Sequence, residues 1–328
     1  MTPTAAVHEF TAELVVRQRN TPADGVVLLD LGKVDGADLP RWEPGAHIDL
    51  LLDNALTGLT RQYSLCGNPA EPSVWRVGVL LDPHSRGGSA HVHVQLREGA
   101  TVRVRGPRNH FPFIDSAGYR FIAGGIGITP IGTMIEAAQR TGSEWTLLYG
   151  GRTRASMAFA GELQDRYPDR VTIWPQDERG QLDFEALLKE PRDDTLIYCC
   201  GPEALLQAVE DHCTDWAAGA LHIERFAGRK PADNDTAGEA QAFEVVCQQS
   251  GMTLDVGPEQ SILEVLEEAG VFILGGCYGG VCGTCEARVL EGTPEHRDSV
   301  LDPAEQAANE VMMVCVSRCR SGRLVLDL

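Results

Sequence analysis

Gly275-Gly276-Cys277-Tyr278-Gly279-Gly280-Val281-Cys282-Gly283-Thr284-Cys285, with a lone Cys315 further on, is the stretch that decides the fold of the carboxyl-terminal part of this chain. Three thiols on one loop and a distant fourth have the spacing C-x4-C-x2-C…C, which suits four cysteinate sulfurs holding two irons. Zinc is the alternative, but zinc sites usually arrive as two C-x2-C-like pairs on separate knuckles, and a C-x4-C step is unusual there. The spacing therefore predicts a 2Fe–2S cluster on Cys277, Cys282, Cys285 and Cys315, and a chain that moves single electrons. Cys319, four positions beyond Cys315, is a second candidate for the fourth ligand, and Cys315 is preferred. The loop glycines allow positive φ and leave N–H groups free to point at sulfur, which stabilises a charged cluster and tunes its potential.

Around the loop, Phe243 to Val246 and Met252 to Val256 flank Ser250-Gly251 as a hairpin. Ser261 and Glu264 form a capping box, and the helix they open carries Ile262, Val265, Leu266 and Ala269 on one face before Gly270 stops it. A last strand is expected from Arg323 to Leu328. On these residues the segment from 241 to the end resembles the plant-type ferredoxin domain, whose fold is an α+β β-grasp.

The cluster accounts for only part of the 328 residues, since single cores of about 100–200 residues are usual. A hydrophobic content of 43 % excludes wholesale disorder. The amino terminus lacks the basic, apolar and small-residue succession of a leader, and no apolar run approaches the roughly 18 residues that span a bilayer. A cytoplasmic protein without a membrane partner is expected. With four of the ten cysteines assigned to the cluster, the other six are expected as free thiols. A net charge of −19, from 28 basic and 47 acidic residues, argues against nucleic acid as a partner, because phosphate binding needs clustered Lys and Arg. Within 241–328 there are 14 acidic residues against 5 arginines and no lysine, a net of −9. Such a module suits docking on a basic patch. The polar segment 229–240 contains proline and glycine and no hydrophobic period, and is expected as a linker.

Before the linker, strands alternate with helices. Arg120 to Ala123 runs into Gly124-Gly125-Ile126-Gly127-Ile128-Thr129-Pro130, with Thr129 expected as N-cap and Pro130 as the first helical residue. The helix that follows carries Ile131, Met134, Ile135 and Ala138 on one face. Trp145 to Tyr149 is a further strand, and Thr195 to Cys199 enters Cys200-Gly201-Pro202 and a second helix. Glycine turns at the carboxyl ends of parallel strands are where α/β sheets bind nucleotides. Ala123 to Pro130 and Tyr198 to Pro202 are similar to the pyridine-nucleotide motifs of the ferredoxin–NADP reductase superfamily. That resemblance implies pyrophosphate over Gly125 to Thr129, with Gly124, Gly127, Ile128 and Pro130 in the same turn, and nicotinamide near Cys200, Gly201 and Pro202.

In the first third, Val15 to Leu31, His47 to Leu52, Val74 to Leu81 and Thr101 to Val104 read as strands of a small antiparallel barrel. Arg61-Gln62-Tyr63-Ser64 resembles the superfamily's RxYS flavin motif: Arg61 for phosphate, Tyr63 against the ring, Ser64 near flavin N5. Ser85-Arg86-Gly87-Gly88-Ser89 resembles its second flavin-phosphate loop. Phe226 resembles the residue that covers the flavin face at the end of the nucleotide domain. His91, His93 and His110 are expected as polar surface and not as metal ligands.

The order of these parts gives an antiparallel β-barrel flavin domain over 1–113, an α/β nucleotide-binding domain over 114–228, the linker and the ferredoxin over 241–328. That order is similar to the phthalate dioxygenase reductase family, which includes reductases of vanillate demethylase. The resemblance implies FMN and NADH and a Rieske-type aromatic oxygenase as the electron acceptor, and a monomer is expected. NADH supplies two electrons as hydride and the cluster takes one, so a flavin must lie between them. A reductase of a quaternary-amine or other monooxygenase uses similar modules, and a cluster-based redox sensor is the non-enzymatic alternative. Arg152 and Arg154, after the Trp145 strand, are the basic residues that could favour NADPH. The stretch Ser156 to Phe159 adds none.

Overall fold

The computed structural model describes residues 10–52, 59–83, 87–228 and 241–328. The chain divides into two compact units, Met1–Glu224 and Arg225–Leu328. Arg86 and the 229–240 segment lie outside the described residues.

Six antiparallel strands open the first unit: β1 (Thr11–Ala23), β2 (Val26–Gly32), β3 (His47–Leu52), β4 (Leu59–Ser64), β5 (Trp75–Leu80) and β6 (Thr101–Arg108). The segment expected as one strand over 15–31 is a hairpin, because Asp24-Gly25 turns the chain and Gly25 sits at φ 71°. The order is β4-β3-β6-β1-β2-β5, and a bridge from Leu65 to Val77 brings the β4 end back to β5. Closure removes the open edges. Alternation puts Leu14, Leu29, Leu31, Ile48, Leu50, Val77 and Val104 in the interior, each contributing roughly 1.5–3 kcal/mol by burial.

Charges are buried in that sheet, Asp49 most completely. Asp49 is fully buried and accepts from Arg105 Nη2 at 2.6 Å, Arg108 Nη2 at 2.6 Å and Gln62 Nε2 at 2.8 Å. Burial pushes its carboxyl up, but Arg108, Gln62 and Arg105 outweigh burial and hold it below the ordinary carboxylate range. The bond from Gln62 joins direct register partners, tying the Arg61 to Ser64 strand to β3 on the face that carries Asp49.

Five parallel strands complete the first unit: β7 (Gly118–Gly124), β8 (Glu144–Gly151), β9 (Val171–Pro175), β10 (Thr195–Cys200) and β11 (Leu221–Glu224), in the order β11-β10-β7-β8-β9. The inner strands β7, β8 and β10 are largely buried on both faces and read as apolar runs, as helix-covered parallel strands do. Tyr198 ties the approach to this sheet, donating to the Pro112 carbonyl at 3.0 Å and accepting from the Ile114 N–H at 2.8 Å.

The second unit contains β12 (Phe243–Cys247), β13 (Met252–Val256), β14 (Glu286–Glu291), β15 (Pro294–Glu295), β16 (Val311–Met313), β17 (Arg318–Cys319) and β18 (Arg323–Leu326). Its main sheet runs β13-β12-β18-β14-β16, with β12 and β18 parallel. The helix Ile262–Glu268 packs Ile262, Leu263 and Leu266 into the core. Its capping box forms as the sequence predicts, and Gly270 follows it at φ 74°. Among the described residues no helix is long and apolar enough to cross a membrane.

Candidate functional site

The carboxyl end of β7 and that of β10 touch. A Cβ on Gly127 would collide with the Cys200 carbonyl, and one on Gly201 would lie 3.0 Å from the Gly124 Cα. Both positions therefore need glycine for approach, whereas Gly125 faces open space and needs it for its φ of 54°. The turn Gly125–Gly127 is a 3-10 turn, and α1 (Gly88–Gln95) and α2 (Ile128–Thr141) are the helices that begin at the two glycine-rich motifs. The α2 start differs from expectation. Gly127 is its N-cap, and Pro130 stands two residues inside the helix. Thr129 cannot cap because its hydroxyl donates backward to the Ile126 carbonyl at 2.9 Å. The backbone of Gly125 to Thr129 still opens a helix, where N–H groups and the dipole favour an anion.

Two supports of this turn carry no motif. Tyr149 is fully buried, and its hydroxyl lies 3.1 Å from both the Gly125 and the Ala158 carbonyls. Gly78 of β5 lies under the turn, since a Cβ there would meet Thr129 Cγ2 at 2.8 Å.

On the barrel, the segment expected as a glycine-rich loop is in part helical. Gly87 is the N-cap of α1 at φ 89°, and Gly88 and Ser89 are its first residues. Arg61 crosses this start: a Cβ on Gly88 would meet Arg61 Cγ at 2.6 Å and Nε at 2.7 Å. The guanidinium and the helix start thus converge, which gives a phosphate two kinds of donor. Ser89 Oγ accepts from the Asp82 N–H at 3.1 Å. Tyr63 is half-buried beside Arg61, and burial pushes its hydroxyl up to about 12. His93 does not face outward as expected, because its Nε2 lies 2.9 Å from the Val79 carbonyl. His47, a neighbour of Ser64 across β3 and β4, is buried with its Nε2 unpartnered among the described residues. Burial first, then Arg108 and His110, push its imidazole down to about 3, so it is neutral.

Ser64 and Cys200 meet through a third residue. Cys200 and Glu224 are register neighbours on β10 and β11, with Cys200 Sγ 3.7 Å from Glu224 Oε2. Ser64 hydrogen-bonds the same carboxyl. Burial pushes Glu224 up to about 8, partly offset by those two bonds, so the carboxyl is largely protonated at neutral pH. Burial also pushes the Cys200 thiol well above its ordinary value, with Glu224 adding to it.

In the second unit all four predicted cluster cysteines are buried. The thiols of Cys277 and Cys282 hydrogen-bond each other, and Cys315 bonds both Cys277 and Cys285. The N–H groups of Gly279 and Val281 point at Cys277 Sγ at 3.3 and 3.4 Å, and that of Cys277 at Cys282 Sγ at 3.4 Å. Thr284 Oγ1 is 3.2 Å from Cys282 Sγ. Sulfurs ringed by N–H donors are prepared for negative charge, as cysteinates on iron require. Cys319 stands on β17 with its Sγ 3.4 Å from Ser321 Oγ, half-buried. Among the described residues no cysteine forms a disulfide. Phe226 belongs to the second unit and is 44 % exposed. Arg152 is exposed at the end of β8.

Two family models match: a 2Fe-2S iron-sulfur cluster binding domain over residues 245–320 and an oxidoreductase NAD-binding domain over 121–211. The chain is 41 % identical over 308 residues to phenoxybenzoate dioxygenase subunit beta of Ectopseudomonas oleovorans, covering 93 % of this chain and 94 % of that one. Among solved structures it is similar to phthalate dioxygenase reductase, a modular structure for electron transfer from pyridine nucleotides to [2Fe-2S]. That match has 33 % identity, a TM-score of 0.71 and coverage of 97 % and 98 % of the two chains. It also matches part of an intact type IV self-sufficient cytochrome P450 monooxygenase at 39 % identity and a TM-score of 0.89. There it covers 97 % of this chain but spans only 41 % of the larger protein.

Proposed function

Because the chain belongs to the phthalate dioxygenase reductase family, we propose that Ser64, Cys200 and Glu224 frame the place where hydride passes from nicotinamide to flavin. The protein is an NADH-dependent oxidoreductase that uses FMN and a 2Fe–2S cluster and delivers electrons to an oxygenase component. The flavin, when bound, takes the two electrons of a hydride and releases them singly, which reconciles NADH with a one-electron cluster.

The observation that carries the site is the hydrogen-bonded chain from Ser64 through Glu224 to Cys200. It links the strand of the RxYS motif to the turn of the nucleotide motif. Arg61 with Gly87 to Ser89 receives the flavin phosphate, and Arg86 of the same motif belongs with them. Tyr63 borders the ring. The turn Gly124 to Pro130 takes the dinucleotide pyrophosphate on backbone N–H groups, and Cys200, Gly201 and Pro202 border the nicotinamide. Glu224, largely protonated at neutral pH, accepts from Cys200 and Ser64 without placing a negative charge where a hydride departs. Cys277, Cys282, Cys285 and Cys315 hold the irons.

The acceptor we propose is a Rieske-type aromatic oxygenase, in keeping with the dioxygenase and reductase relatives. Purified protein mixed with NADH and cytochrome c is expected to turn over rapidly, and heat-released flavin is expected to run as FMN on chromatography. Slow turnover favours a redox sensor, and stoichiometric FAD refutes the FMN site. Reconstitution with Rieske oxygenases of aromatic acids and with a quaternary-amine monooxygenase separates the acceptors.

A further inference from the structure

The dinucleotide has a second end, and the strand order fixes where it lies. With the pyrophosphate at the end of β7 and the nicotinamide toward β10, the adenosine half extends the other way, across the carboxyl ends of β8 and β9. Gly151 pairs with Pro175 there, and the Asp177 N–H donates to the Arg152 carbonyl at 3.1 Å. The loop after β8 and the short helix Gln176–Arg179 after β9 are thus stitched side by side. Across the stitch, Arg154 donates from Nη2 to Glu178 Oε2 at 3.2 Å and from Nε to Oε1 at 3.4 Å. Both side chains are about half exposed. A pair of this kind adds only about 0–1 kcal/mol to stability, so its larger consequence is for a charged ligand arriving beside it. Arg179 is turned away onto the Trp174 ring, 5.0 Å from its centroid.

We propose that Glu178 selects NADH over NADPH. Its carboxylate engages Nε and Nη2 of Arg154 and places negative charge beside the adenosine ribose. A 2′-hydroxyl can donate to such a carboxylate. A 2′-phosphate, carrying about −1.5 to −2 charges, meets repulsion from Glu178 and a guanidinium already engaged. Arg154, which the sequence alone offers as a grip for that phosphate, is thereby withheld from it. The inference rests on the nucleotide site assigned above.

The test titrates the holoprotein with 2′,5′-ADP and with 5′-AMP by calorimetry, and measures kcat/KM for NADPH and NADH, in wild type, Glu178→Gln and Glu178→Gln/Arg154→Gln. The single variant is expected to shift the affinity ratio toward 2′,5′-ADP by about tenfold, because a like charge is removed and an arginine released. The kcat/KM ratio should move in the same sense, and the double variant should lose the share of the gain that comes from the released arginine. Flavin reduction by NADH in wild type reports on the site assignment separately. If NADH reduces the flavin and Glu178→Gln leaves the affinity ratio unchanged, the selectivity role is overturned while the site stands. A gain undiminished without Arg154 overturns the pairing.

Discussion

Glu224 is the residue whose ionisation the fold controls most directly at the proposed hydride site. Its carboxyl is raised from 4.5 to about 8 by burial, so between those values the folded protein holds a proton that the unfolded chain has lost. Stability from this group is complete below about pH 4.5 and declines as pH rises toward 8. Glu224→Gln keeps a hydrogen-bond donor and cannot ionise, so its urea midpoint should lose that downward slope. In stopped-flow reduction of the flavin by NADH, wild type should show an inflection near pH 8 that the glutamine variant lacks. Glu224→Ala removes both donor and packing and should slow the step by about 10–100-fold, the scale on which misplaced reacting groups cost rate. An inflection that survives in Glu224→Gln assigns the proton to another group. Sequence motifs pointed to Ser64 and Cys200 but not to Glu224, for a physical reason. Its role depends on the parallel register of β10 with β11, and Leu221 to Glu224 carries no turn or spacing that announces it. Tyr149 and Gly78 escaped notice in the same way, being defined by what lies over them.

At the scale of elements, the motifs that were legible are those in which backbone geometry demands a residue type. Gly127 is such a position: a methyl group there strikes the Cys200 carbonyl, which is backbone and cannot rotate away. Gly127→Ala is expected to cost about 1–3 kcal/mol as an overpacked contact and to raise KM for NADH, measured by denaturant titration and steady-state kinetics. Unchanged KM would mean that the two turns separate without disturbing the nucleotide. The helix start at Gly127, not Thr129, was illegible because Thr129 spends its hydroxyl on the Ile126 carbonyl, a local bond that competes with capping. In the cluster loop, the hydrogen bonds of Cys315 to Cys277 and Cys285 separate it from Cys319, which faces Ser321. Cys315→Ser should therefore abolish the visible absorption of the cluster while NADH still reduces the flavin. Cys319→Ser should keep the full spectrum. The reverse pattern would move the fourth ligand to Cys319.

Across the whole molecule, the acidic excess is concentrated toward the carboxyl-terminal part. The ferredoxin segment 241–328 carries a net −9 of the chain's −19. Glu286 and Glu291 stand exposed on the strand that leaves the cluster loop. The same unit offers an apolar alternative, since Phe272, Leu274 and Tyr278 are 83, 41 and 45 % exposed. The two surfaces predict different salt behaviour. Screening shortens the Debye length from about 10 Å at 0.1 M to about 3 Å at 1 M, whereas burial of apolar rings is not weakened by salt. If acidic steering governs the encounter with a basic face of the oxygenase, electron delivery slows as salt rises. Flavin reduction by NADH, which needs no such encounter, changes much less. Glu286→Lys or Glu291→Lys should reproduce that slowing at low salt, and its effect should shrink as ionic strength climbs. Rates of oxygenase reduction across a salt series decide the matter. A delivery step indifferent to salt and to charge reversal, but lost in Tyr278→Ala, assigns docking to the apolar rim of the cluster loop.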